Sequence, residues 1–427
     1  MPENRYLKEK ISNRETRLLM DLYGSDPHDL QKQTDAYISL INDFERVFNG
    51  KDPQLFSSPG RTEIGGNHTD HNNGRVLAGS VSLDNIAIAS RNSLDKIRIE
   101  SVGYPPIEVD CSELSPRKGE SFSSASLVRG VVAGIRDLGL RYGGFDACIN
   151  GRVPKGSGLS SSASFEVLIG TIISHLFNDG NLDPLDNAII GQKAENNFFG
   201  KPCGLMDQTA CAVGGLVAID FEVPGKPLVS KVNFDFTATG YSLVITDTGG
   251  DHADLNDEYA SLPEEMKSVA SALGAGVLRE VTLGDIVKAV PELRPVTGDR
   301  AILRSYHFQE DNQRVVMQVE ALERGDFRSF LNMVVESGYS SFMYNQNIHS
   351  SHSVKDQGVA LGLAMSEMVL KGEGAWRVHG GGFAGTIQAF VPDSLLDHYI
   401  KTMEHIFGKG CCHNLFIRNS GAIRLQF

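Results

Sequence analysis

The stretch GSGLSSSASFEVLIGTIISHLF, residues 156–177, carries the main structural signal of this 427-residue chain. Its apolar side chains advance alternately by three positions and by one, which is the repeat of one buried face of an α-helix. A glycine- and serine-rich loop therefore leads directly into the N-terminus of a helix. The apolar positions are Phe165, Leu168, Ile169, Ile172, Ile173, Leu176 and Phe177.

The start of this helix is a candidate anion site. The first backbone N–H groups of a helix lack partners and lie at the positive end of its dipole, and glycines let an anion approach the backbone closely. The serine hydroxyls of residues 160–162 add donors or a metal ligand. A phosphate fits this arrangement, although for one such junction on its own a serine-rich N-cap on a core helix is the better explanation.

The composition limits the possible partners. With 41% hydrophobic and 22% charged residues, the chain has the composition of an ordinary soluble globular protein, long enough for two domains or for one large α/β unit. Its net charge of −13 argues against nucleic acid and against an anionic membrane surface as partners. The polar N-terminus and the lack of a long apolar run predict a cytoplasmic protein, and six cysteines without CxxC pairs fit a reducing compartment. The run Cys411-Cys412-His413 does not favour a tetrahedral metal site, because adjacent cysteines rarely bind one ion.

The rest of the sequence predicts helices and strands in mixed order. Two helical segments precede residue 50, and the Gly/Asn-rich stretch 59–74 is predicted to be a loop between strands, where chemistry is usually placed. From about residue 236 the chain starts again with a strand. Further strands are predicted at 145–151 and in 375–392, and further helices at 127–138, 186–200, 262–273, 309–324 and 356–371.

Two familiar nucleotide motifs are excluded. No G-x-x-x-x-G-K-[ST] occurs, so the chain is not a P-loop NTPase. Residues 380–385 match G-x-G-x-x-G, but a strand-like run follows them, whereas a dinucleotide fingerprint must open a helix. We therefore expect a hairpin-like glycine loop there.

Four segments together resemble the GHMP family of small-molecule kinases and, within it, the galactokinases. SSPGRTEIGGNHTDHNNGRVLAGS (57–80) is similar to the galactokinase sugar signature, and VPKGSGLSSSAS (153–164) to the family's phosphate loop. HGGGFAG (379–385) resembles the third motif of the family, and KAENNFFGKPCGLMDQ (193–208) follows the galactokinase pattern. The resemblance runs in the same order over most of residues 35–427.

This resemblance implies an α+β, two-lobed GHMP kinase fold, with an N-terminal lobe like domain 2 of ribosomal protein S5 and a ferredoxin-like C-terminal lobe. We expect a helical extension over 1–35, the N-terminal lobe over 36–235 and the C-terminal lobe over 236–427. The implied reaction is transfer of the γ-phosphate of ATP, with Mg²⁺, to the anomeric hydroxyl of D-galactose, giving galactose 1-phosphate and ADP. A monomer is expected, and a dimer stays open.

The resemblance also assigns roles to residues. Asp207 receives or orients the hydroxyl proton, and Arg61 lies beside it and keeps it ionised. The alternatives from the residues alone are a helix-capping aspartate at 207, a solvated carboxylate at 195, and a metal cluster or a structural turn at His68, Asp70 and His71. The nucleotide phosphates are assigned to Gly156, Gly158, Leu159, Ser160, Ser161, Ser162 and Ala163, magnesium to Ser162 and Glu195, and the sugar to Asn67, His68, Asp70 and Tyr259.

The sequence departs from galactokinases in the sugar signature. Galactokinases carry glutamate at the position of Asn67 and tyrosine at that of His71, whereas the related galacturonate kinases lack the glutamate and have the histidine. Galacturonate is therefore an alternative substrate, although the acidic run ASLPEEMK after Tyr259 weighs against an anionic sugar. The aromatic residue that covers adenine in galactokinases is expected to be replaced near residues 124–127. A non-catalytic sugar sensor is the second alternative, and the retained phosphate loop with Asp207 and Arg61 argues against it.

Overall fold

The computed structural model of the chain describes residues 2–12, 17–48, 50–154, 158–250 and 255–426. No helix in these ranges is both long enough and apolar enough to cross a membrane. The α-helices are α1 Pro2–Ser12, α2 Arg17–Tyr23, α3 Pro27–Val47, α4 Ser124–Asp137, α5 Ser161–Phe177, α6 Pro184–Ala194, α7 Met206–Val213, α8 Asn256–Ala272, α9 Leu283–Lys288, α10 Val290–Thr297, α11 Asp299–Glu323, α12 Phe327–Ser340, α13 Gly358–Leu370 and α14 Leu396–Phe407.

The strands of the described residues form two sheets. The larger has eight strands in the order β12-β1-β2-β5-β3-β4, with β6 paired to β2 and to β7, and the smaller has the order β11-β8-β10-β9. All pairs are antiparallel except β3 with β5. The strands are β1 Gln54–Gly65, β2 Arg75–Arg91, β3 Lys96–Ser101, β4 Ile107–Asp110, β5 Phe145–Gly151, β6 Leu216–Asp220, β7 Leu228–Val232, β8 Tyr241–Asp247, β9 Ala375–Val378, β10 Thr386–Pro392, β11 Cys412–Leu415 and β12 Ile423–Arg424.

The large sheet is covered on both faces because the side chains of a strand alternate between faces. On β2, Ala87 and Ala89 pack into the core formed with α4, α5 and α6. Their neighbours Ile86 and Ile88 point the other way, into a core formed with α1, α2 and α3. The N-terminal helices are therefore part of the packing of this lobe.

The small sheet forms the second lobe with α12, α13 and α14 against it. Between the lobes lies a shared core, in which Ile64 and Leu77 from the large sheet join Phe330 of α12 and Phe390 of β10. Helices α8 to α11 form a further packed group beside this interface. The predicted glycine hairpin is confirmed, since β9 and β10 pair antiparallel on either side of residues 379–385.

The predicted loop at 59–74 is wrong in its first half. Strand β1 continues through Pro59 and Gly60 to Gly65, and only residues 66–74 connect β1 to β2. The register with β2 shifts between Pro59 and Arg61 and again between Glu63 and Gly65. Such irregularities let a strand accommodate proline and glycine without ending.

The expected domain boundaries do not coincide with breaks in the structure. The boundary between residues 35 and 36 falls inside α3, so the helical extension cannot be separated there. The end of the chain returns to the N-terminal lobe, where β12 pairs with β1 and Ile417 with Val81. Residues 236–427 thus supply one edge of the large sheet as well as the C-terminal lobe.

Candidate active site

The phosphate loop reaches the start of α5 in a constrained conformation. Ser160 has φ 60° and ψ 63°, the left-handed region, and its side chain forms no cap to the helix. Gly158 has φ +68°, and a Cβ atom there would lie 2.9 Å from Thr386 Oγ1 and 3.0 Å from His379 Nδ1. The loop therefore packs against the base of the glycine hairpin. Gly156 lies outside the described residues.

An ion pair connects the sugar signature to α7 beside this loop. Arg61 donates to Asp207 through Nε at 2.7 Å to Oδ1 and through Nη2 at 2.8 Å to Oδ2. Arg61 Nη1 also donates to Gly158 O, and Ser160 Oγ donates to Asp207 Oδ2. Arg61 and Asp207 are thus fixed to the phosphate loop from two sides.

The charge of Asp207 is stabilised by these partners. Desolvation by itself would raise the pKa of the carboxyl, but the ion pair with Arg61 and the hydrogen bonds from Arg61 and Ser160 outweigh it, so the pKa lies below its usual value. The side chain remains 32% exposed, which leaves it open to a ligand. The carboxylate does not cap α7, whose N-cap is Leu205 without a side-chain cap.

The two predicted magnesium ligands lie together. Glu195 begins a π-helical turn after α6 and is 3% exposed, and its Oε1 accepts from Ser162 Oγ at 3.1 Å. Lys201 Nζ lies 3.5 Å from the same oxygen. Glu195 is therefore a buried carboxylate beside the N-terminus of α5, and not a solvated one.

Two further residues at this site were not singled out from the sequence. Gln208 Nε2 donates to Glu195 Oε2 and to Glu166 Oε2, both at 3.0 Å. Glu166 is fully buried, and this burial together with the nearby Glu195 charge raises its pKa well above the usual value. One sequence signal was available, because Glu166 is the only carboxylate in the apolar helix α5.

Asn67 has little capacity left to bind a sugar. Its side chain is fully buried, and Nδ2 donates to Glu63 Oε1 at 3.0 Å and to Gly380 O at 2.8 Å. Its Oδ1 accepts from Asn347 Nδ2 at 2.8 Å and from Ser341 Oγ at 3.2 Å. The residue connects the sugar signature to the glycine loop and to the end of α12.

The other predicted sugar residues surround the glycine loop. His68 Nε2 lies 2.8 Å from Gly381 O, and burial lowers the pKa of this histidine to about 4. Tyr259 donates to Gly382 O at 2.9 Å, and burial raises its pKa to about 12. Thus residues 68 and 259, far apart in sequence, converge on one hairpin.

Asp70 lies at the edge of this group, 17% exposed. A Cβ atom on Gly204 would approach its Oδ2 to 2.4 Å, so a glycine at 204 gives this carboxylate its space. The neighbouring His71 is exposed, with its Nε2 3.7 Å from Asp70 Oδ1. Within the described ranges, no three His, Cys, Asp or Glu side chains form a group that could hold a metal ion.

An aromatic pocket opens beside the N-terminus of α5, next to Ser161 and Ser162. Phe122, just before α4, lies edge-on to Phe199 with ring centroids 5.3 Å apart. From the sequence, the aromatic residue that covers adenine in galactokinases is expected to be replaced near residues 124–127, and Phe122 and Phe199 were not singled out. The remaining aromatic lining residues are Tyr104 and Phe165.

Comparisons with known proteins match two segments of the chain. A family model described as the GHMP kinases N terminal domain matches residues 126–215, and the galactokinase galactose-binding signature matches residues 42–91. Galactokinase from Lactococcus lactis, in a crystal structure with galactose, is similar at 24% identity over 90% of this chain and 98% of that one, with a TM-score of 0.76.

More distant kinases share the fold. Mevalonate kinase from Methanococcus jannaschii is 14% identical over 86% of this chain and 99% of that one, with a TM-score of 0.61. A D-glycero-D-manno-heptose 1-phosphate kinase from Bacteriodes thetaiotaomicron is 17% identical over 87% and 99%, with a TM-score of 0.58. These likenesses confirm the predicted two-lobed α+β fold.

The two matched segments carry the GHMP kinase N-terminal domain and the galactokinase signature, and the chain is an ATP-dependent phosphotransferase. Arg61 lies in the matched signature and Asp207 in the matched domain, so their ion pair joins the two segments. By its matched signature it is galactokinase-like, a kinase of sugars.

Proposed function

We propose that this chain phosphorylates the anomeric hydroxyl of D-galactose, producing galactose 1-phosphate and ADP. The observation that carries the proposal is the Arg61–Asp207 pair, with N–O distances of 2.7 and 2.8 Å, which joins the galactose-binding signature to α7 and bonds to the phosphate loop. A sugar hydroxyl that lies against Asp207 faces the mouth of α5, where an anion is favoured.

The proposed reaction needs alignment more than covalent help. The anomeric oxygen attacks the γ-phosphorus of ATP, the bond to the bridging oxygen of ADP breaks, and the hydroxyl proton passes to a carboxylate oxygen of Asp207. Because the pKa of Asp207 is lowered, this carboxylate is ionised at neutral pH and orients the hydroxyl before transfer. Arg61 supplies positive charge beside the phosphoryl group.

The residues at the mouth of α5 fit a magnesium ion. Ser162 and Glu195 provide hard oxygen ligands, the kind Mg²⁺ takes together with nucleotide phosphates. When bound, the ion would neutralise phosphate charge. Lys201 and Gln208 hold Glu195 in place, and the phosphates would lie against the loop at residues 158–163.

The adenine ring is assigned to the aromatic pocket that adjoins Ser161 and Ser162. Phe122 and Phe199 offer ring surfaces, and the side chain of Phe122 is 71% exposed, so a planar base can cover it. This arrangement would replace the aromatic residue that the sequence lacks at 124–127.

The sugar is assigned to Asp70, His68 and Tyr259, with Asp70 as the residue that accepts hydrogen bonds from two neighbouring hydroxyls. Gly204 leaves room for that carboxylate. Asn67 is assigned a supporting role beside these residues, because its side-chain amide already bonds to Glu63, Gly380 and Asn347.

Galacturonate is the second candidate substrate. His71 is exposed beside Asp70 and could pair with a sugar carboxylate, and Asn67 brings no negative charge to oppose one. Against it, Glu63 Oε1 lies 3.0 Å from Asn67 Nδ2, so a sugar carboxylate in that direction would approach a second, buried carboxyl group.

The test is a sugar panel assayed for ADP release with ATP and Mg²⁺, using galactose, galacturonate, N-acetylgalactosamine and glucose. We expect galactose to give the highest kcat/KM. Asp207→Asn should lower kcat by about 10²- to 10⁴-fold, the usual contribution of a proton acceptor, while sugar binding measured by calorimetry is retained. Sugar-dependent binding without turnover by the unaltered chain would instead identify a sensor.

A further inference from the structure

A second cavity, of about 590 Å³, lies at the opposite end of α5 from the phosphate loop. The 17 residues of α5 span about 25 Å at 1.5 Å per residue, so this cavity is separate from the candidate active site. Its walls come from the start of β1, the end of β2, the C-terminal turn of α5 and β12. The charged and titratable lining residues are Lys51, Asp52, Arg91, His175, Asp179 and Arg424.

Three cations in this cavity lack a counterion. Lys51, Arg91 and Arg424 form no ion pair with any residue in the described part of the chain. Nη1 of Arg424 donates to Gln54 Oε1 at 3.3 Å, but its Nε is buried without a hydrogen-bond partner. The Arg91 guanidinium lies 4.8 Å from the centroid of the Phe177 ring, which positions it over the cavity wall. A buried donor without a partner is costly unless a ligand or water satisfies it.

The negative groups nearby do not cancel this charge. Asp179 is 81% exposed and pairs with Arg141 at 3.3 Å. The other negative groups are Asp52 and the negative end of the α5 dipole. The positive groups are the three cations, with the partly buried His175 beside them. Burial and the positive charge of Arg424 both lower the pKa of His175. In a chain of net charge −13, this is a local concentration of positive charge.

We propose that this cavity binds a phosphorylated small molecule, a phosphate monoester whose phosphate pairs with Arg91, Arg424 and Lys51. Arginine forks match phosphate oxygens in geometry, and a lysine adds a mobile charge. The cavity volume is in the range of sites for whole small molecules, larger than a free phosphate needs. The organic part of the ester would lie against Leu176 and the His175 ring.

The experiment is calorimetric titration of the full chain with glucose 6-phosphate and, separately, with inorganic phosphate. The active site is first saturated with a non-hydrolysable ATP analogue, Mg²⁺ and galactose, and glucose 6-phosphate is not the product of an anomeric kinase. The variant is Lys51→Ala with Arg91→Ala. The control is Lys267→Ala with Lys401→Ala, which removes the same charge at exposed positions elsewhere.

We expect the ester to bind the unaltered chain and the control equally, and the Lys51/Arg91 variant at least 10-fold more weakly. Inorganic phosphate should bind more weakly than the ester. The proposal is overturned if the ester does not bind, if both double variants weaken equally, or if inorganic phosphate binds as tightly as the ester. Asp207→Asn should leave this binding unchanged, so a failure of the proposed kinase reaction would not mimic a failure here.

Discussion

The contacts of Asn67 in the structure differ from the sugar-binding role that its position in the signature predicts. In the signature it occupies a sugar-binding position, yet its backbone N–H donates to Asp311 at 2.8 Å and its C=O lies 2.9 Å from His307 Nε2. With its amide bonded to Glu63 and Asn347 as well, every polar group of this residue has a protein partner. Residue 67 therefore acts by holding the signature against α11 and the glycine loop.

Replacing Asn67 with glutamate should destabilise the chain. The new carboxylate would be buried beside Glu63 and would lose the donors to Glu63 and Gly380, at a cost of about 3 kcal/mol or more in the free energy of unfolding. Urea denaturation measures this cost. The exposed change Asn414→Glu is the matched control, with an expected effect within about 0.5 kcal/mol.

A second variant separates charge from shape at this position. Combining Asn67→Glu with Glu63→Gln restores one carboxylate to the cluster around Arg377, so part of the lost stability should return. If Asn67→Glu alone is as stable as the unaltered chain and shifts sugar preference toward galactose, residue 67 faces the sugar and our assignment is wrong.

The phosphate-loop residues could be predicted because their signal is local. Helix α5 follows from its apolar repeat, and the glycine hairpin follows from the strand-like run after Gly385. The hydroxyl of Ser160 could not be assigned to Asp207, because the bond joins residues 47 positions apart. Sequence order places residues in a motif, but only packing determines which side chain each one meets.

At the scale of elements, helix α12 was not singled out from the sequence, although Phe330, Leu331 and Val334 follow a helical apolar repeat. Its apolar residues Phe330 and Val334 pack into the interlobe core, while Gly338 lies where the backbone of β9 passes, so that a Cβ would approach Trp376 O to 2.9 Å. Serine and glycine in this helix reflect close packing against a strand.

The glycine hairpin allows a matched pair of substitutions. Gly382 has φ +79°, and a Cβ there would lie 2.1 Å from Asn347 O, whereas Gly380 has φ +67° and no atom within 4 Å. Gly380→Ala should cost only the left-handed strain of about 1–2 kcal/mol. Gly382→Ala should cost more in unfolding free energy and also raise the sugar KM, since Tyr259 donates to Gly382 O.

Chemical denaturation and steady-state kinetics on both variants check this expectation. Equal losses of stability with an unchanged KM would show that the contact between the hairpin and Asn347 has no part in sugar binding.

At the scale of the whole molecule, a buried charge cluster connects segments from both ends of the chain. Asp84 on β2 is fully buried and accepts from Tyr23 of α2 at 2.6 Å, and Arg152 also pairs with it. Arg418 lies 3.4 Å from the same carboxylate and donates to Ser57 Oγ at 2.7 Å. This one buried cluster thus connects the N-terminal helices, the large sheet and the C-terminal segment.

Arg418→Ala should be strongly destabilising. Removing one partner from a buried charge network typically costs about 3–5 kcal/mol, because it leaves Asp84 and the carbonyls of residues 420 and 421 undersatisfied. Thermal and urea unfolding measure the loss. Arg324→Ala, which breaks an exposed pair with Glu320, is the control and should change stability by less than about 1 kcal/mol; a similar small effect for Arg418→Ala would contradict the role of the cluster.

The pairing of β12 with β1 has a consequence for the order in which the protein can be made. Gln54 of β1 and Arg424 of β12 are 370 residues apart, so a ribosome exposes the first strand long before its edge partner emerges. Until then one margin of the nascent sheet presents open backbone groups, the kind of surface on which strands of other chains add. The N-terminal lobe therefore cannot be completed until residues 423–424 have been made, and a chaperone that shields β1 would matter most before then.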